Sequence, residues 1–456
     1  MPRSRQPARI STPVFKAVSP NPSVGIVSST NPSLGGFSPL NPDDVARPIA
    51  VSLLTGGSDK PYVFGITTEL LSKGAVLDVI GSDELDGPEF HGKPGLNFFN
   101  LRGDQRQDAS FSAKVIRILK YYAALMLYAA KSKPRIFHIL WNNKFETFDR
   151  TLLTLYYKLL GKKVVLTAHN VNFAKRDSRD SILNRLTLRI QYRLADHIFV
   201  HTEKMKSELL EEFDVRGTRV TVIPFGINNA VPHSALTPKE ARESLGIRQG
   251  EKTILFFGRI TPYKGLEYLI GALRLISKGD SDYRLLVAGR PDRCEDYWKS
   301  VQDLMQEDLQ NGRVVLRSEF IPDEETEVYF KAADVLVLPY KNIYQSGVLF
   351  LAYSFGLPVL AADVGSLKES IVEGETGFAF KPEDPTELAK AIERYFGSEL
   401  YRELSDRRQP IKDYARAKHS WDVVGETTMG VYGSLLSRST SRGTDKSQRT
   451  EELSRN

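Results

Sequence analysis

A strand-to-helix loop at residues 256–265, with the sequence FFGRITPYKG, carries the side chains of this chain that are best suited to bind phosphate. The apolar run ILFF predicts a strand that ends at Gly258, and Gly265 opens an amphipathic helix, LEYLIGALRLI. Arg259 offers a planar bidentate fork, Lys264 a mobile point charge, and the helix N-terminus its dipole. The loop is therefore a candidate diphosphate site, although a basic loop alone is also typical of a solvated surface.

An alternation of apolar runs with amphipathic stretches predicts the elements that position this loop. Strands are predicted at 49–54, 76–81, 135–141, 163–169, 197–202 and 219–224, and helices at 63–73, 111–131, 148–160, 181–194 and 203–212. After a linker at 230–240, further strands at 253–258, 283–289, 313–318, 335–340 and 358–363 are again separated by helices. The pattern predicts an α/β fold with two doubly wound, Rossmann-like units in tandem, whose ligands bind beyond the carboxyl ends of the strands.

The composition indicates a soluble globular protein with two full cores. Of the 456 residues, 41% are hydrophobic and 26% are charged, and the net charge is +6. A charge this small requires no nucleic-acid partner, but it permits an anionic ligand or an anionic membrane face. The single cysteine, Cys294, excludes an intramolecular disulfide and a cysteine-rich metal site.

Both ends of the chain are predicted to be disordered tails, at residues 1–45 and 437–456, because neither shows a sustained apolar period. No apolar signal-peptide core follows the basic start, so we expect a cytoplasmic protein. No stretch reaches the roughly 18 apolar residues of a membrane span. The nearest, ILKYYAALMLYAA at 118–130, predicts a buried helix, with an interfacial helix as the alternative.

Several motifs occur in an order that resembles the GT-B glycosyltransferases, and within them the retaining enzymes of family 4 (glycosyl transferases group 1). They are TGG after the first strand, TAHN, ADHIFVHTE, VIPFGIN, GRITPYKG, LLVAG, FIPDEE, ADVLVLPY, SFGLPVLAADVGSLKESI and EGETGFAF. The resemblance implies an acceptor-side domain at 46–230, to which a helix at 411–436 returns, and a nucleotide-sugar-binding domain at 236–410. The two domains would face each other across a cleft.

The resemblance implies that Arg259 and Lys264 hold the donor diphosphate. Breaking a glycosyl–diphosphate bond leaves negative charge on a phosphate oxygen, which fixed cations and amide donors can stabilise. The amides of Ser346, Gly347 and Val348 lie at a predicted loop-to-helix junction and would point at the same phosphates. The alternative for Ser346 is an ordinary helix N-cap without a ligand.

His169, in TAHN, matches a family position that faces the transferred sugar, and with Arg259 and Lys264 it completes the implied catalytic set. In retaining relatives the departing phosphate is taken to assist the incoming hydroxyl, so His169 would orient the sugar rather than act as a base. The alternative is a structural strand-end histidine. His138 is a weaker candidate, because IFHILW lacks the second histidine of the more usual pattern.

Two further motifs are implied to contact the donor at the margins of the site. Gly56 and Gly57 would let the N-terminal backbone approach the donor, although they also fit a simple βα turn. Phe320 and Ile321, in FIPDEE, would pass close to the nucleotide base through backbone contacts. Neither motif reveals which base is read.

The chain departs from the family at one place. Family 4 usually carries two glutamates, with seven residues between them, at the donor-site helix, and Ile343 and Leu351 stand in their places. Gln345 is the nearest polar substitute. Either this subgroup holds its donor through the SGV amides, or the protein has lost turnover; the retention of Arg259, Lys264 and His169 favours the first.

The acceptor side offers a basic segment. Nine basic and two acidic residues lie between Lys158 and Arg193, and Arg185, Arg189 and Arg193 share one predicted helix face. This face could bind a polyprenyl diphosphate acceptor or the inner face of a membrane, and the alternative is a solvated helix.

The function expected from all of this is transfer of a hexose-type sugar from a UDP- or GDP-sugar to a hydroxyl of a glycan or polyprenyl-linked acceptor, with retention. The pathway would be polysaccharide or glycolipid synthesis, without a metal or another cofactor. A non-catalytic GT-B protein that binds nucleotide sugar as a partner subunit is the alternative. A Rossmann-type oxidoreductase is a third alternative, which the sequence disfavours because TGGSDKPYVFG lacks the G-x-G-x-x-G spacing.

Overall fold

The structure is a computed structural model of the chain. It describes residues 48–57, 59–105, 110–176, 180–227, 231, 234–277 and 282–453. The predicted N-terminal tail at 1–45 lies outside the described residues, as do residues 454–456 of the predicted C-terminal tail.

The N-terminal domain is built on a parallel sheet of seven described strands. They are β1 (Ala50–Leu54), β2 (Val76–Gly81), β3 (Leu96–Asn100), β4 (Ile136–Ile139), β5 (Lys163–Thr167), β6 (His197–Val200) and β7 (Val220–Val222). Their order across the sheet is β3-β2-β1-β4-β5-β6-β7. The order reverses between β1 and β4, so the carboxyl ends of these two strands flank the crevice where ligands bind in open α/β sheets.

Helices cover both faces of this sheet. They are α1 (Lys60–Ser72), α2 (Phe111–Lys131), α3 (Glu146–Phe148), α4 (Thr154–Leu159), α5 (Phe173–Arg176), α6 (Ile182–Leu194) and α7 (Glu203–Phe213). A π turn, Asp149–Leu153, joins α3 to α4 without a break. Because parallel crossovers are right-handed, α1 covers one face, whereas α2, α4, α6 and α7 cover the other.

The C-terminal domain repeats the plan with six described parallel strands. They are β8 (Lys252–Phe257), β9 (Tyr283–Ala288), β10 (Val314–Arg317), β11 (Val335–Leu338), β12 (Val359–Ala362) and β13 (Gly377–Phe380), in the order β10-β9-β8-β11-β12-β13. Its helices are α8 (Pro238–Ser244), α9 (Leu266–Ile276), α10 (Glu295–Gln310), α11 (Asp323–Ala332), α12 (Gly347–Ser354), α13 (Pro385–Phe396), α14 (Glu399–Arg402) and α15 (Leu404–Lys418). The two sheets confirm the predicted α/β fold with two Rossmann-like domains.

The last helix, α16 (Trp421–Leu453), returns to the N-terminal domain. Trp421, Val424 and Tyr432 belong to the same apolar cluster as the buried side chains of α1. Lys73, at the end of α1, forms an ion pair of 2.6 Å with Asp422. The chain therefore crosses from the second domain back to the first, as the resemblance implies.

Three sequence predictions need correction. The single helix expected at 411–436 is two helices, which are separated at residues 419–420. The residues from 437 to Leu453, expected as a loose tail, continue helix α16. Strands β3 and β13, each at the edge of its sheet, were not predicted; along β3 the residues are exposed or half-buried and form no buried run.

Candidate functional site

A cavity of about 310 Å³ lies between the two domains, where the carboxyl ends of the strands of both sheets converge. The second domain contributes Arg259, Lys264 and the segment 345–348, which are six of the residues predicted to hold the donor. The first domain and α16 contribute aromatic walls, Tyr62, Phe225 and Trp421. We call this space the donor cavity.

Lys264 is held in place by the local backbone. It ends a short 3₁₀ turn, Pro262–Lys264, and Gly265 then adopts a left-handed conformation with φ of 66° before α9 begins. The lysine is buried, and its Nζ lies 5.6 Å from the centre of the Tyr340 ring. A cation with so little solvent around it interacts strongly with any anion that enters the cavity.

Arg259 is placed differently, at the mouth of the cavity. Its side chain is 71% exposed, and its guanidinium lies 3.3 Å from the carboxylate of Asp292. An exposed ion pair of this kind contributes little free energy, so the guanidinium can exchange Asp292 for a phosphate at small cost. Buried Lys264 and exposed Arg259 therefore form an inner and an outer cation of one site.

The N-terminus of α12 opens into the same cavity. Ser346 occupies the N-cap position, but its hydroxyl makes no capping bond and instead pairs with the Tyr340 hydroxyl at 3.3 Å. The ordinary capping role is therefore not observed. The first amides of α12 remain as donors, which suits the binding of an anion.

The cavity wall is apolar at the two positions where family 4 usually has glutamates. Ile343 and Leu351 are both buried, and both line the cavity. Gln345 lies between them, and its buried Oε1 has no hydrogen-bond partner among the described residues. An amide oxygen that is buried without a partner is costly, so a ligand hydroxyl or amide is its natural complement.

His169 lies one layer behind this cavity. Its ring stacks on Trp141, with centroids 4.1 Å apart and planes inclined by 7°, and the edge of the Tyr62 ring packs against it at 4.6 Å. Tyr62 lines the donor cavity and therefore separates His169 from it. The Nε2 atom of His169 is buried and has no hydrogen-bond partner among the described residues.

A chain of two imidazoles fixes the tautomer of His169. Burial lowers the pKa of His201 to about 4 and that of His169 well below its ordinary value, so both rings are neutral near pH 7. The carbonyl of Ile223 can only accept, so His201 donates to it from Nδ1, at 3.2 Å. The Nε2 of His201 then accepts from Nδ1 of His169, at 3.0 Å, and Nε2 of His169 keeps a lone pair.

Two family models match the two domains in turn. The model described as Glycosyltransferase Family 4 matches residues 61–231, and the model described as Glycosyl transferases group 1 matches residues 238–418. Together they span most of both sheets. The chain belongs to the group 1 glycosyltransferases.

Relatives of this glycosyltransferase cover the chain to different extents. The uncharacterized glycosyltransferase MJ1607 of Methanocaldococcus jannaschii is 31% identical over 238 residues, which are 51% of this chain and 58% of the relative. A D-inositol 3-phosphate glycosyltransferase of Corynebacterium diphtheriae is 28% identical over 392 residues, which are 83% of this chain and 90% of the relative. The match thus spans less than two thirds of the first relative and most of the second.

A solved structure shows the same fold. The Anabaena protein HepE, solved in complex with UDP-glucose, aligns with a TM-score of 0.64 at 17% identity. The alignment covers 85% of this chain and 99% of HepE. Together with the two parallel sheets, this likeness confirms the GT-B fold of the glycosyltransferase.

The glycosyltransferase has a second, larger cavity of about 640 Å³, mostly on the N-terminal domain. Gly56 lines it at the carboxyl end of β1, and most of the other lining residues come from the loop after β3, from α2 and from the loop after β4. Five cations and three acidic residues line it: Arg102, Lys114, Arg117, Lys144 and Arg293, with Glu84, Asp104 and Glu146. We call it the N-terminal cavity; its lining has a positive balance.

Gly56 and Gly57 form a tight turn at the edge of this cavity. Their φ angles are 63° and 78°, so both positions favour glycine. A Cβ on Gly56 would lie 2.9 Å from the carbonyl oxygen of Asn142. Of the two, Gly56 lines the N-terminal cavity, and neither lines the donor cavity.

Phe320 and Ile321 do not line the donor cavity either. Phe320 is 68% exposed, and Ile321 is buried in the core of the C-terminal domain. The proposed backbone contacts of both residues with the base stay a prediction. His138 is structural: it is buried, and its two nitrogens pair with the hydroxyls of Tyr432, at 2.6 Å, and Thr167, at 2.7 Å.

Several cations of the basic segment 158–193 make structural contacts within the protein. Lys162 is buried and donates to the carbonyls of Ser132 and Pro134, at 2.8 and 2.9 Å. Lys158 pairs with Asp196, and Arg185 with Asp180 at 2.6 Å. The side chains that remain exposed on α6 therefore form a smaller basic surface than the sequence suggests.

Sequence reasoning missed the aromatic walls of the donor cavity. Tyr62 and Trp421 come from opposite ends of the chain, and Gly65 and Gly226 make room for the Trp421 ring. In the sequence, only the two glycines themselves point to this wall. In the structure, a Cβ on either glycine would lie within 2.3 Å of the Trp421 ring. Only the fold reveals what the glycines accommodate.

The described residues contain neither a candidate metal site nor a membrane-spanning helix. That part of the chain holds no group of three His, Cys, Asp or Glu side chains that could bind a metal ion. None of its helices is both long enough and apolar enough to cross a membrane.

Proposed function

We propose that this glycosyltransferase moves a hexose from a nucleotide diphosphate sugar to a hydroxyl acceptor with retention of anomeric configuration. The observation that carries the proposal is the convergence of Arg259, Lys264 and the N-terminus of α12 on one inter-domain cavity. Two cations and several amide donors at one place complement a diphosphate. A UDP-sugar is our first choice of donor, because HepE was solved with UDP-glucose.

The expected chemistry concentrates on the leaving group. The bond between the anomeric carbon and the phosphate oxygen breaks, and a bond to the acceptor oxygen forms on the same face of the sugar. The released phosphate oxygen takes the proton of the incoming hydroxyl. Arg259 and Lys264 stabilise the charge that develops on the diphosphate, and the burial of Lys264 strengthens its contribution. No metal is required by this scheme.

His169 would position the sugar through its unprotonated Nε2. A lone pair there can accept a hydrogen bond from a sugar hydroxyl, but a neutral ring with a depressed pKa supplies no positive charge. Tyr62 now separates His169 from the donor cavity, so the Tyr62 ring has to move before His169 reaches the sugar. Domain closure of the kind that commits a substrate is the step in which we place this movement.

The acceptor would bind in the N-terminal cavity, across the cleft from the donor. Its cationic balance suits an acceptor that carries phosphate, such as a polyprenyl diphosphate-linked glycan in polysaccharide or glycolipid synthesis. The name of the Corynebacterium relative also contains a phosphorylated acceptor, which supports this choice of chemistry.

A second candidate function is binding of nucleotide sugar without turnover. The specific observation in its favour is the apolar wall at Ile343 and Leu351, where family 4 usually has two glutamates. These side chains cannot hold the sugar or ribose hydroxyls. We favour catalysis, because Gln345 presents a buried acceptor without a partner at the same wall.

A transfer assay separates the two functions. The full chain is incubated with UDP-glucose, UDP-galactose or GDP-mannose, each with an undecaprenyl diphosphate-linked sugar, and release of the nucleotide is measured by chromatography. The anomeric coupling constant of the product then reports the stereochemistry. Release of one nucleotide with a retained product supports the proposal. Tight nucleotide binding without release from any donor would support the non-catalytic alternative.

A further inference from the structure

Exposed apolar side chains are concentrated on one face of the N-terminal domain. Among the described residues, 15 large hydrophobic side chains are exposed, and 12 of these lie between residues 115 and 186. They are Val115, Ile116, Leu119, Leu127, Phe145, Leu152, Leu155, Leu159, Leu160, Ile182, Leu183 and Leu186. Single exposed leucines are ordinary, whereas a cluster of this size marks an interaction surface.

These side chains come from three neighbouring helical segments that cover the same face of the sheet. The first two segments, α2 and the stretch 146–159, are joined by the rings of Tyr122 and Phe148, whose centroids lie 5.1 Å apart. The stretch 146–159 is joined to α6 by a hydrogen bond of 2.8 Å from Arg150 to Asn184. The apolar residues therefore lie on one continuous surface.

The spacing shows that this surface is a second apolar face, opposite the buried one. Leu152, Leu155 and Leu159 follow one another at helical spacing and are 62, 42 and 79% exposed, whereas Leu153 and Tyr157 point into the core. The interval 118–130, predicted as a buried helix, is likewise only half-buried, since it presents Leu119 and Leu127 to solvent. A helix that is apolar on its solvent side lacks the usual amphipathic pattern of a soluble domain.

Most charges on this surface are basic. The stretch 146–159 has two acidic residues, exposed Glu146 and buried Asp149, beside Arg150 and Lys158. The 21 residues of α2 include four cations and no acidic residue, and the 13 residues of α6 include three arginines and no acidic residue. The whole chain is nearly balanced, with 62 basic and 56 acidic residues. Exposed Lys120, Lys144, Arg189 and Arg193 border the apolar side chains. We call this surface, on α2, 146–159 and α6, the apolar-basic face.

The apolar-basic face is continuous with the N-terminal cavity. On α2, Arg117 and Ile118 line the cavity, and the adjacent Ile116 and Leu119 are exposed. Phe145, which is 49% exposed and stacks on Tyr122 at 5.8 Å, lies between two residues that line the cavity. The apolar-basic face therefore extends to the mouth of the N-terminal cavity.

We infer that the apolar-basic face docks on the surface of a membrane that contains anionic lipids. Exposed leucines among mostly basic side chains suit the boundary between headgroups and acyl chains, where the leucines enter the lipid and the cations meet phosphates. A protein partner would have to be acidic and apolar over the same area. The inference stands on this surface and does not need the proposed transfer reaction.

Sedimentation with vesicles tests the docking. The full chain is mixed with vesicles of phosphatidylcholine alone or of equimolar phosphatidylcholine and phosphatidylglycerol. The test variant is Leu152→Gln/Leu155→Gln/Leu159→Gln, which keeps helix propensity and alters exposed positions only. The matched control is Leu275→Gln/Val423→Gln, which removes exposed apolar side chains elsewhere. Light scattering of each protein gives its oligomeric state, and a UDP titration reports whether the donor site is intact.

We expect the wild type to bind the anionic vesicles. The vesicle affinity of the triple variant should be at least about tenfold lower, and that of the control variant should be unchanged. Arg189→Gln/Arg193→Gln should weaken binding roughly fivefold for each charge removed. Equal binding of the wild type and the triple variant, or no binding to either vesicle, would overturn the inference. So would a dimer that the triple variant dissociates, since the occupant of the face would then be a second copy.

Discussion

The Nδ1 atom of His169 lies 3.0 Å from Nε2 of His201, and this contact decides which nitrogen of His169 can receive a ligand. Because Nδ1–H of His201 donates a hydrogen bond to the carbonyl of Ile223, the hydrogen atom between the two rings is bonded to Nδ1 of His169. The free Nε2 of His169 is then an acceptor. This nitrogen is buried and has no hydrogen-bond partner among the described residues, so a ligand hydroxyl would suit it.

Replacing His169 should separate turnover from nucleotide binding. In His169→Ala we expect the turnover number to fall by about 100-fold, because one positioned hydrogen-bonding group is lost. The affinity for UDP should change less than twofold, since the donor cations are untouched. Steady-state kinetics and calorimetry measure the two quantities. A loss of UDP affinity as large as the loss of turnover would assign His169 a structural role instead.

The stability of the fold should depend on acidity through its buried histidines. Burial lowers the pKa of His201 and of His419 to about 4, and that of His138 to about 3, against about 6.5 when unfolded. The unfolded chain therefore binds these protons first as pH falls below 6.5, and stability is lost between about pH 6.5 and 3. For His201 alone the loss at pH 5 is about 2 kcal/mol. Denaturant unfolding at pH 7 and pH 5 measures it, and His201→Gln should have the shallower dependence.

Packing of α16 on α1 gives a prediction with an internal control. A Cβ on Gly65 would lie 2.1 Å from the ring of Trp421, so Gly65→Ala should cost roughly 1–3 kcal/mol of unfolding free energy. Gly430 has nothing within 4 Å of an added Cβ, so Gly430→Ala should gain up to about 1 kcal/mol from helix propensity. Thermal unfolding compares them. Equal effects of the two substitutions would show that α16 does not pack as described.

Gln345 should contribute to the binding of the sugar rather than of the nucleotide. Its buried Oε1 has no partner among the described residues, so removing it leaves no new unpaired group. We expect Gln345→Ala to lower the affinity for the nucleotide sugar by about tenfold and to leave UDP affinity unchanged. Gln409→Ala, at an exposed position of α15, is the matched control. Unchanged affinity for every nucleotide sugar would remove Gln345 from the donor site.

The sequence predicts the central strands and the cations of the donor site because both are local signals. Strands such as β11 and β12 are continuous apolar runs, and the loop that holds Arg259 and Lys264 carries its own glycines. Edge strand β3 has no such run, so periodicity cannot identify it. Local sequence patterns therefore indicate the chemistry of a side chain more readily than they indicate its neighbours in the fold.

The rest of the site depends on contacts between distant parts of the chain. Tyr62 and Trp421 form one wall of the donor cavity, and no spacing rule connects α1 to α16. The pattern of α2 likewise predicts a helix but not which of its apolar residues remain uncovered, because that depends on its neighbours. The two glycines that accommodate Trp421 become informative only when the ring is present.

A calorimetric titration tests the donor site most directly. The full chain and Arg259→Ala are titrated with UDP, GDP and ADP, with and without Mg²⁺, and Arg394→Ala serves as control because its exposed ion pair, at 3.1 Å, resembles that of Arg259. We predict metal-independent binding of one nucleotide, UDP as first choice, about 10- to 100-fold weaker in Arg259→Ala and unchanged in Arg394→Ala. Absence of binding for all three nucleotides, or equal affinity of the wild type and Arg259→Ala, would contradict the account.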